Sequence, residues 1–127
     1  MLDAWLRQPP VPKALGVLPQ DKKIACTLTV EARQAFVRWL AKQEPGSVLC
    51  LLKARKDNER KESWLYSSYE PKQVAHYEAV ERKDDLSLFY DIDGFRVVIM
   101  PPNKVLELQH TKLGIDNDRL VISKSDT

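Results

Sequence analysis

The sequence predicts an α+β domain that is mostly β, and three observations carry that expectation. The stretch "TVEARQAFVRWLAKQ" places its apolar residues at helical spacing. Around it stand apolar or alternating runs of strand length: "SVLCLLKA", "SWLYSSYE", "LSLFYDI" and "FRVVIM". The last two flank Asp93-Gly94, and both central residues of a type I′ hairpin turn need the positive φ that this pair tolerates. Strand runs with few helices indicate an α+β rather than an alternating α/β architecture.

In chain order, residues 1–23 read as a proline-rich arm and residues 24–127 as the domain. "MLDAWLR" would put Leu2, Trp5 and Leu6 on one helical face. Pro9, Pro10, Pro12 and Pro19 then remove backbone donors and disfavour helix, so an extended strap or partner-docking segment is expected. In the first helix Thr29 is the cap and Glu31 sits in the first turn, where a carboxylate favours the dipole. Ala32, Ala35, Phe36, Trp39 and Leu40 share its apolar face, Arg33, Arg38 and Lys42 lie elsewhere, and Pro45-Gly46 stops it. "SVLCLLKA" reads as a buried strand. "SWLYSSYE" alternates, with Trp64, Tyr66 and Ser68 on one face, and Glu70-Pro71 breaks it. "QVAHYEAVE" fits strand or helix, and strand is expected. After the Asp-Gly hairpin, Pro102 suits a first helical position, and "PPNKVLELQH" forms a short helix. "TKLGID" and "RLVISK" close the chain as two strands around Asn117-Asp118. The expected inventory is thus one main helix, one short helix and several strands.

Composition narrows the function classes. The chain has 127 residues, which suits one domain, and its apolar share of 43% and charged share of 30% are those of a globular protein. Twenty basic against 18 acidic residues give +2, too near balance to argue for or against a polyanionic partner. No apolar run approaches the roughly 18 residues of a membrane span, and "MLDAWLRQPP" carries Asp3 and no long apolar core, so neither membrane insertion nor secretion is expected. A cytoplasmic compartment follows. Cys26 and Cys50 are not in a C-x-x-C pair, and with His76 and His110 they are scattered, so reduced thiols packed as small hydrophobes are expected rather than a metal or cofactor site. The sequence holds no G-x-x-x-x-G-K-[ST], G-x-G-x-x-G or H-E-x-x-H, and Ser67-Ser68 lacks a G-x-S-x-G turn. Asp84-Asp85 and Asp91/Asp93 fall at expected turns, where Asp bonds its own backbone. His76 and His110 read as structural or surface groups. No catalytic residue is expected, and the protein is not expected to be an enzyme.

The remaining resource is surface. "KARKDNERK" holds Lys53, Arg55, Lys56, Arg60 and Lys61, followed by Trp64, Tyr66 and Tyr69. Such a basic and aromatic mixture can bind nucleic acid, but Asp57, Glu59 and Glu62 interleave and dilute the positive charge. A solvated hairpin loop is the favoured reading. Trp5, Lys53, Arg55, Lys56, Arg60, Lys61 and Trp64 are the residues through which a partner protein would be contacted.

From about Thr27 to Ser123 the order and residues resemble the HesB/IscA-like domain, the A-type iron–sulfur carriers. The resemblance runs through "LTVEARQAFVRWLAKQ", "VLCLLKA", "SSYEP", "FYDIDGFRVVI", "PPNKVLELQHTKLGID" and "LVISK". It implies a compact β-sandwich or barrel. The family's cluster ligands are one cysteine in a glycine-rich loop after the first buried strand and a Cys-Gly-Cys near the C-terminus. Here "RKDNERK" occupies the loop and "ISKSDT" the end, Cys50 lies inside the preceding strand, and Cys26 lies before the helix. No ligand carries over, and clusters need thiolates. The resemblance therefore implies a member that has lost cluster ligation and acts as a protein-binding adaptor. Two alternatives are an iron or cluster carrier using Cys26 and Cys50 across a dimer, with His76 or His110, and a nucleic-acid binder using residues 53–69.

Overall fold

The computed structural model describes residues 21–55, 60–117 and 119–124. Strands β1 (Lys22–Lys23) and β2 (Cys26–Leu28) precede helix α1 (Val30–Ala41). Thr29 Oγ1 accepts the Ala32 N–H at 3.0 Å, satisfying one of the donors that a helix start leaves open. Thr29→Ala is expected to lower stability by about 1 kcal/mol, and Thr29→Ser to restore most of it, in urea titrations. Ala32 and Phe36 carry the buried face of α1, and Gly46, at φ 94°, makes the turn into strand β3 (Val48–Ala54). Strand β4 (Ser63–Tyr69) returns antiparallel to β3.

A second helix, α2 (Pro71–Asp84), stands where the sequence reading favours a strand over "QVAHYEAVE". The physical reason is at its start. Glu70-Pro71 ends β4 as expected, and Pro71 is also the first helical residue, where a missing N–H loses nothing. Glu70 and Gln73 form a reciprocal capping box, with the Glu70 N–H donating to Gln73 Oε1 at 3.1 Å. Val74, Tyr77 and Val80 then meet the sheet at helical spacing. The inventory of one main and one short helix is corrected accordingly, since α2 is longer than α1.

Strands β5 (Phe89–Ile92) and β6 (Phe95–Met100) form the Asp-Gly hairpin, with φ of 50° at Asp93 and 93° at Gly94. A 3-10 helix (Pro102–Leu108) follows, then the antiparallel pair β7 (Thr111–Asp116) and β8 (Arg119–Lys124). One sheet has the order β1-β5-β6-β3-β4 and the other β2-β7-β8. Both mix parallel and antiparallel pairs, and they form no closed barrel. The architecture is α+β and mostly β, as the sequence indicates.

Strand alternation sorts the core into two layers. Leu49, Leu51, Val97 and Ile99 point to one face of the larger sheet and pack with α1, the 3-10 helix and the smaller sheet. Val48, Phe89 and Val98 point to the other face, which α2 covers. Strand β4 ends the larger sheet and passes alongside β8 without sharing a ladder.

Candidate functional site

The β3–β4 hairpin carries most of the residues that the sequence nominates for partner contact. Arg55, Arg60 and Lys61 are exposed at its end. Lys53 is not free, because its ammonium pairs with Glu107 of the 3-10 helix. That hydrogen bond holds the Glu107 carboxyl below its ordinary range, and Lys104 Nζ adds a weaker contact at 3.6 Å. Trp64 is 7% exposed and belongs to the core. Lys56 and Trp5 lie outside the described residues. Arg55, Arg60 and Lys61 are thus left exposed at the ends of β3 and β4, whereas Lys53 and Trp64 are committed to the fold. The other two aromatics are committed as well. Tyr66 meets Phe36 and Trp39 edge-on, with ring centroids 5.5 and 5.7 Å apart, and Tyr69 stacks on Tyr77 at 5.0 Å.

Both cysteines are free and buried, Cys26 at 3% and Cys50 at 1% exposure. Cys26 lies among the residues on the α1 side of the larger sheet, where Thr111 Oγ1 donates to its sulfur at 3.4 Å. Cys50 alternates with Leu49 and Leu51 and so points to the opposite, α2 side. Burial pushes both thiols up from their ordinary value, against the opposing hydrogen bonds from Thr111 and Tyr69. His76 is exposed on α2, and His110 is exposed at φ 61° beyond the 3-10 helix. Among the described residues, which include every cysteine and histidine of the chain, no three His, Cys, Asp or Glu are grouped to hold a metal ion. Neither thiol is expected to react with an aromatic disulfide reagent at pH 8 until the chain unfolds. Fast release of one equivalent of thiolate from native protein would contradict the burial. Stability should also fall as pH rises past about 9, because the unfolded chain ionises thiols that the folded chain keeps neutral.

Of the aspartates expected at turns, Asp84 is instead the last residue of α2, while Asp91 and Asp93 serve the hairpin turn. Asp91 Oδ1 accepts the Gly94 N–H at 2.8 Å. Asp93 also takes the Leu28 N–H at 3.1 Å and the Arg33 guanidinium at 2.9 Å, tying the hairpin turn to β2 and α1. Asp85, at φ 52°, caps the end of α2. On the α2 side, Arg96 of β6 is 8% exposed and binds Asp21 Oδ2 at 3.0 Å and Glu78 Oε2 at 3.1 Å, with its guanidinium carbon 4.1 Å over the Phe89 ring. The Glu81 carboxylate takes the N–H groups of Leu88 and Phe89 at 2.7 and 3.0 Å. The two carboxylates in the middle of α2 are therefore spent inside the fold.

Two hollows bear on binding. One, of about 490 Å³, is lined by Lys23 to Thr27, Asp91, Asp93, Gly94 and His110. The other, of about 400 Å³, lies between the C-terminal half of α1 and β4, and Ala35, Arg38, Trp39, Lys42 and Tyr66 line it. The sequence reading assigns the Trp39 face of α1 to the core and finds no site there. The signal was nonetheless available, because Arg38 and Lys42 are one helical turn apart and flank Trp39.

The class that fold and side chains define is an α+β, mostly β domain with charged surface and buried thiols. No protein-family model, curated protein or solved structure matches the chain. Among the described residues no helix is long and apolar enough to cross a membrane.

Proposed function

We propose that the chain is a HesB/IscA-like domain that has lost cluster ligation and works in the cytoplasm as a non-enzymatic, protein-binding adaptor. The order from α1 onward supports it: helix, buried strand, returning strand, Asp-Gly hairpin, proline-started short helix and closing strand pair. On this reading helix α2 would be an insertion between the second strand and the hairpin. The observation that carries the reading is the fate of the thiols. The hairpin between β3 and β4 is charged where the family keeps a cysteine, and the two cysteines present are buried toward opposite faces of one sheet. Cluster ligation needs exposed thiolates that converge. The carrier alternative would have to expose both thiols in a dimer and overcome the burial that keeps them protonated.

Two measurements test the proposal. Tagged protein recovered from its native cells should bring down one protein in near-stoichiometric amount, with cross-links mapping to this chain. As-purified protein should lack a visible iron–sulfur band. Stoichiometric iron with such a band, lost in Cys26→Ser/Cys50→Ser, would return the chain to the carriers. Recovery with no cross-linked protein at all would remove the adaptor role.

A further inference from the structure

The hollow between α1 and β4 has an unusual lining for a patch of plain surface. Arg38 and Lys42 stand on α1 at i and i+4, the spacing that places two side chains as neighbours. Among the described residues neither takes part in an ion pair. Beside them on the same helix lies Trp39, whose Nε1–H is the one buried side-chain polar atom without a partner among the described residues. Tyr66 closes the far wall, its ring edge-on to Trp39, and Ala35 leaves room at the base. A buried donor left without an acceptor forfeits its hydration with nothing in return, so native structures rarely leave one without a reason.

We propose that this hollow recognises an acidic side chain, Asp or Glu, presented by a partner protein. A carboxylate set there would meet two cations, and a small turn of the indole would give its N–H an oxygen to bond. Charge-assisted hydrogen bonds of this kind are the strong ones. Trp, Tyr and Arg are also the residue types that dominate protein-interface energetics. An apolar occupant is disfavoured, because it would desolvate both cations with nothing to pair them. A nucleic-acid strand is disfavoured because the cations form one point of charge and not a track. Arg38 and Lys42 also complement the negative end of the α1 dipole. That role alone would make them matter for stability but not for binding.

The inference rests on the adaptor reading and names the chemistry of its partner. The probe is acetyl-hexaglutamate amide, titrated into the full ¹⁵N-labelled chain while the indole N–H resonances are followed, with Trp39 assigned from Trp39→Phe. The Trp39 signal should shift saturably, the shift should weaken with added salt, and Arg38→Ala/Lys42→Ala should abolish it while the rest of the spectrum stays that of the folded protein. An unmoved Trp39 signal, an equal shift with acetyl-hexalysine amide, a larger shift with oligothymidylate, or a shift that survives the double substitution would each overturn the proposal. Partner capture that persists unchanged in Arg38→Ala/Lys42→Ala would sink the pocket and leave the adaptor reading standing. A saturable hexaglutamate shift in a chain that cross-links to no protein would do the reverse.

Discussion

Replacing Arg96 with alanine is expected to destabilise the folded chain by about 3–5 kcal/mol, read as a lower urea midpoint at unchanged slope. The size follows from what is left behind. The Asp21 side chain is 2% exposed, and Arg96 supplies its Nε–H at 3.0 Å. Glu78, half-buried on α2, takes the other arm of the same guanidinium. Removing the cation takes the guanidinium away from a carboxylate that is almost wholly buried, and losing one partner of a buried ion pair costs more than the pair itself contributes. Arg96→Lys should recover little, since a single ammonium cannot fork to two carboxylates and also lie flat on the Phe89 ring. Arg96→Met with Asp21→Asn removes both charges while keeping the packing volume, and should lose much less than the sum of the single changes. A double-mutant cycle that came out additive, or an Arg96→Ala loss below about 1 kcal/mol, would mean that the cluster is hydrated and contributes little.

This cluster also marks where the sequence is hard to read. "FRVVIM" is plainly a strand, and its buried side follows from alternation, but a pattern cannot say where a guanidinium in the middle of it finds its anions. The partners lie 75 and 18 residues away, one just ahead of a two-residue strand and one on a helix taken for a strand. A lone Arg in an apolar run does signal that some buried acid exists, because Arg is almost never buried unpaired. The misreading of α2 has a similar cause. Glu70-Pro71 has the same letters whether it ends a strand or begins a helix, and here the capping box with Gln73 decides for the helix. Features fixed by neighbours in sequence were legible: the Thr29 cap, the Asp93-Gly94 turn and the alternation of β4. The hollow beside Trp39 was legible only by half: the spacing of Arg38 and Lys42 is in the sequence, but its far wall comes from a strand more than twenty residues on, and Trp39 itself reads as core.

Phe36→Ala is expected to lower stability by about 3–5 kcal/mol and to loosen the hollow beside it. The α1 helix is fixed to the sheets by two neighbouring contacts of different kinds, and their magnitudes decide which governs. One turn before Phe36, Arg33 binds the Asp93 carboxylate at 2.9 Å, but both side chains are more than a third exposed, and such a pair contributes about 1 kcal/mol or less. Phe36 is 1% exposed and meets the rings of Tyr66 and Phe95 edge-on, at 5.5 and 6.0 Å, so it joins the helix to β4 and β6 at once. Its removal takes away the ring against which Tyr66 is set, and Trp39 packs on Tyr66. The consequence is more than a cavity, because the wall and floor of the hollow lose their common support. Near-ultraviolet circular dichroism should therefore weaken in Phe36→Ala under conditions where far-ultraviolet signal shows the chain still folded. Val37→Ala, one residue on and about half exposed, should stay within about 0.5 kcal/mol of the parent and leave the aromatic signal intact. Arg33→Ala should fall between them in stability and also spare the aromatic signal. If instead Arg33→Ala cost more than Phe36→Ala, the helix would be held from its exposed end, and the hollow would owe its shape to Asp93 rather than to the core.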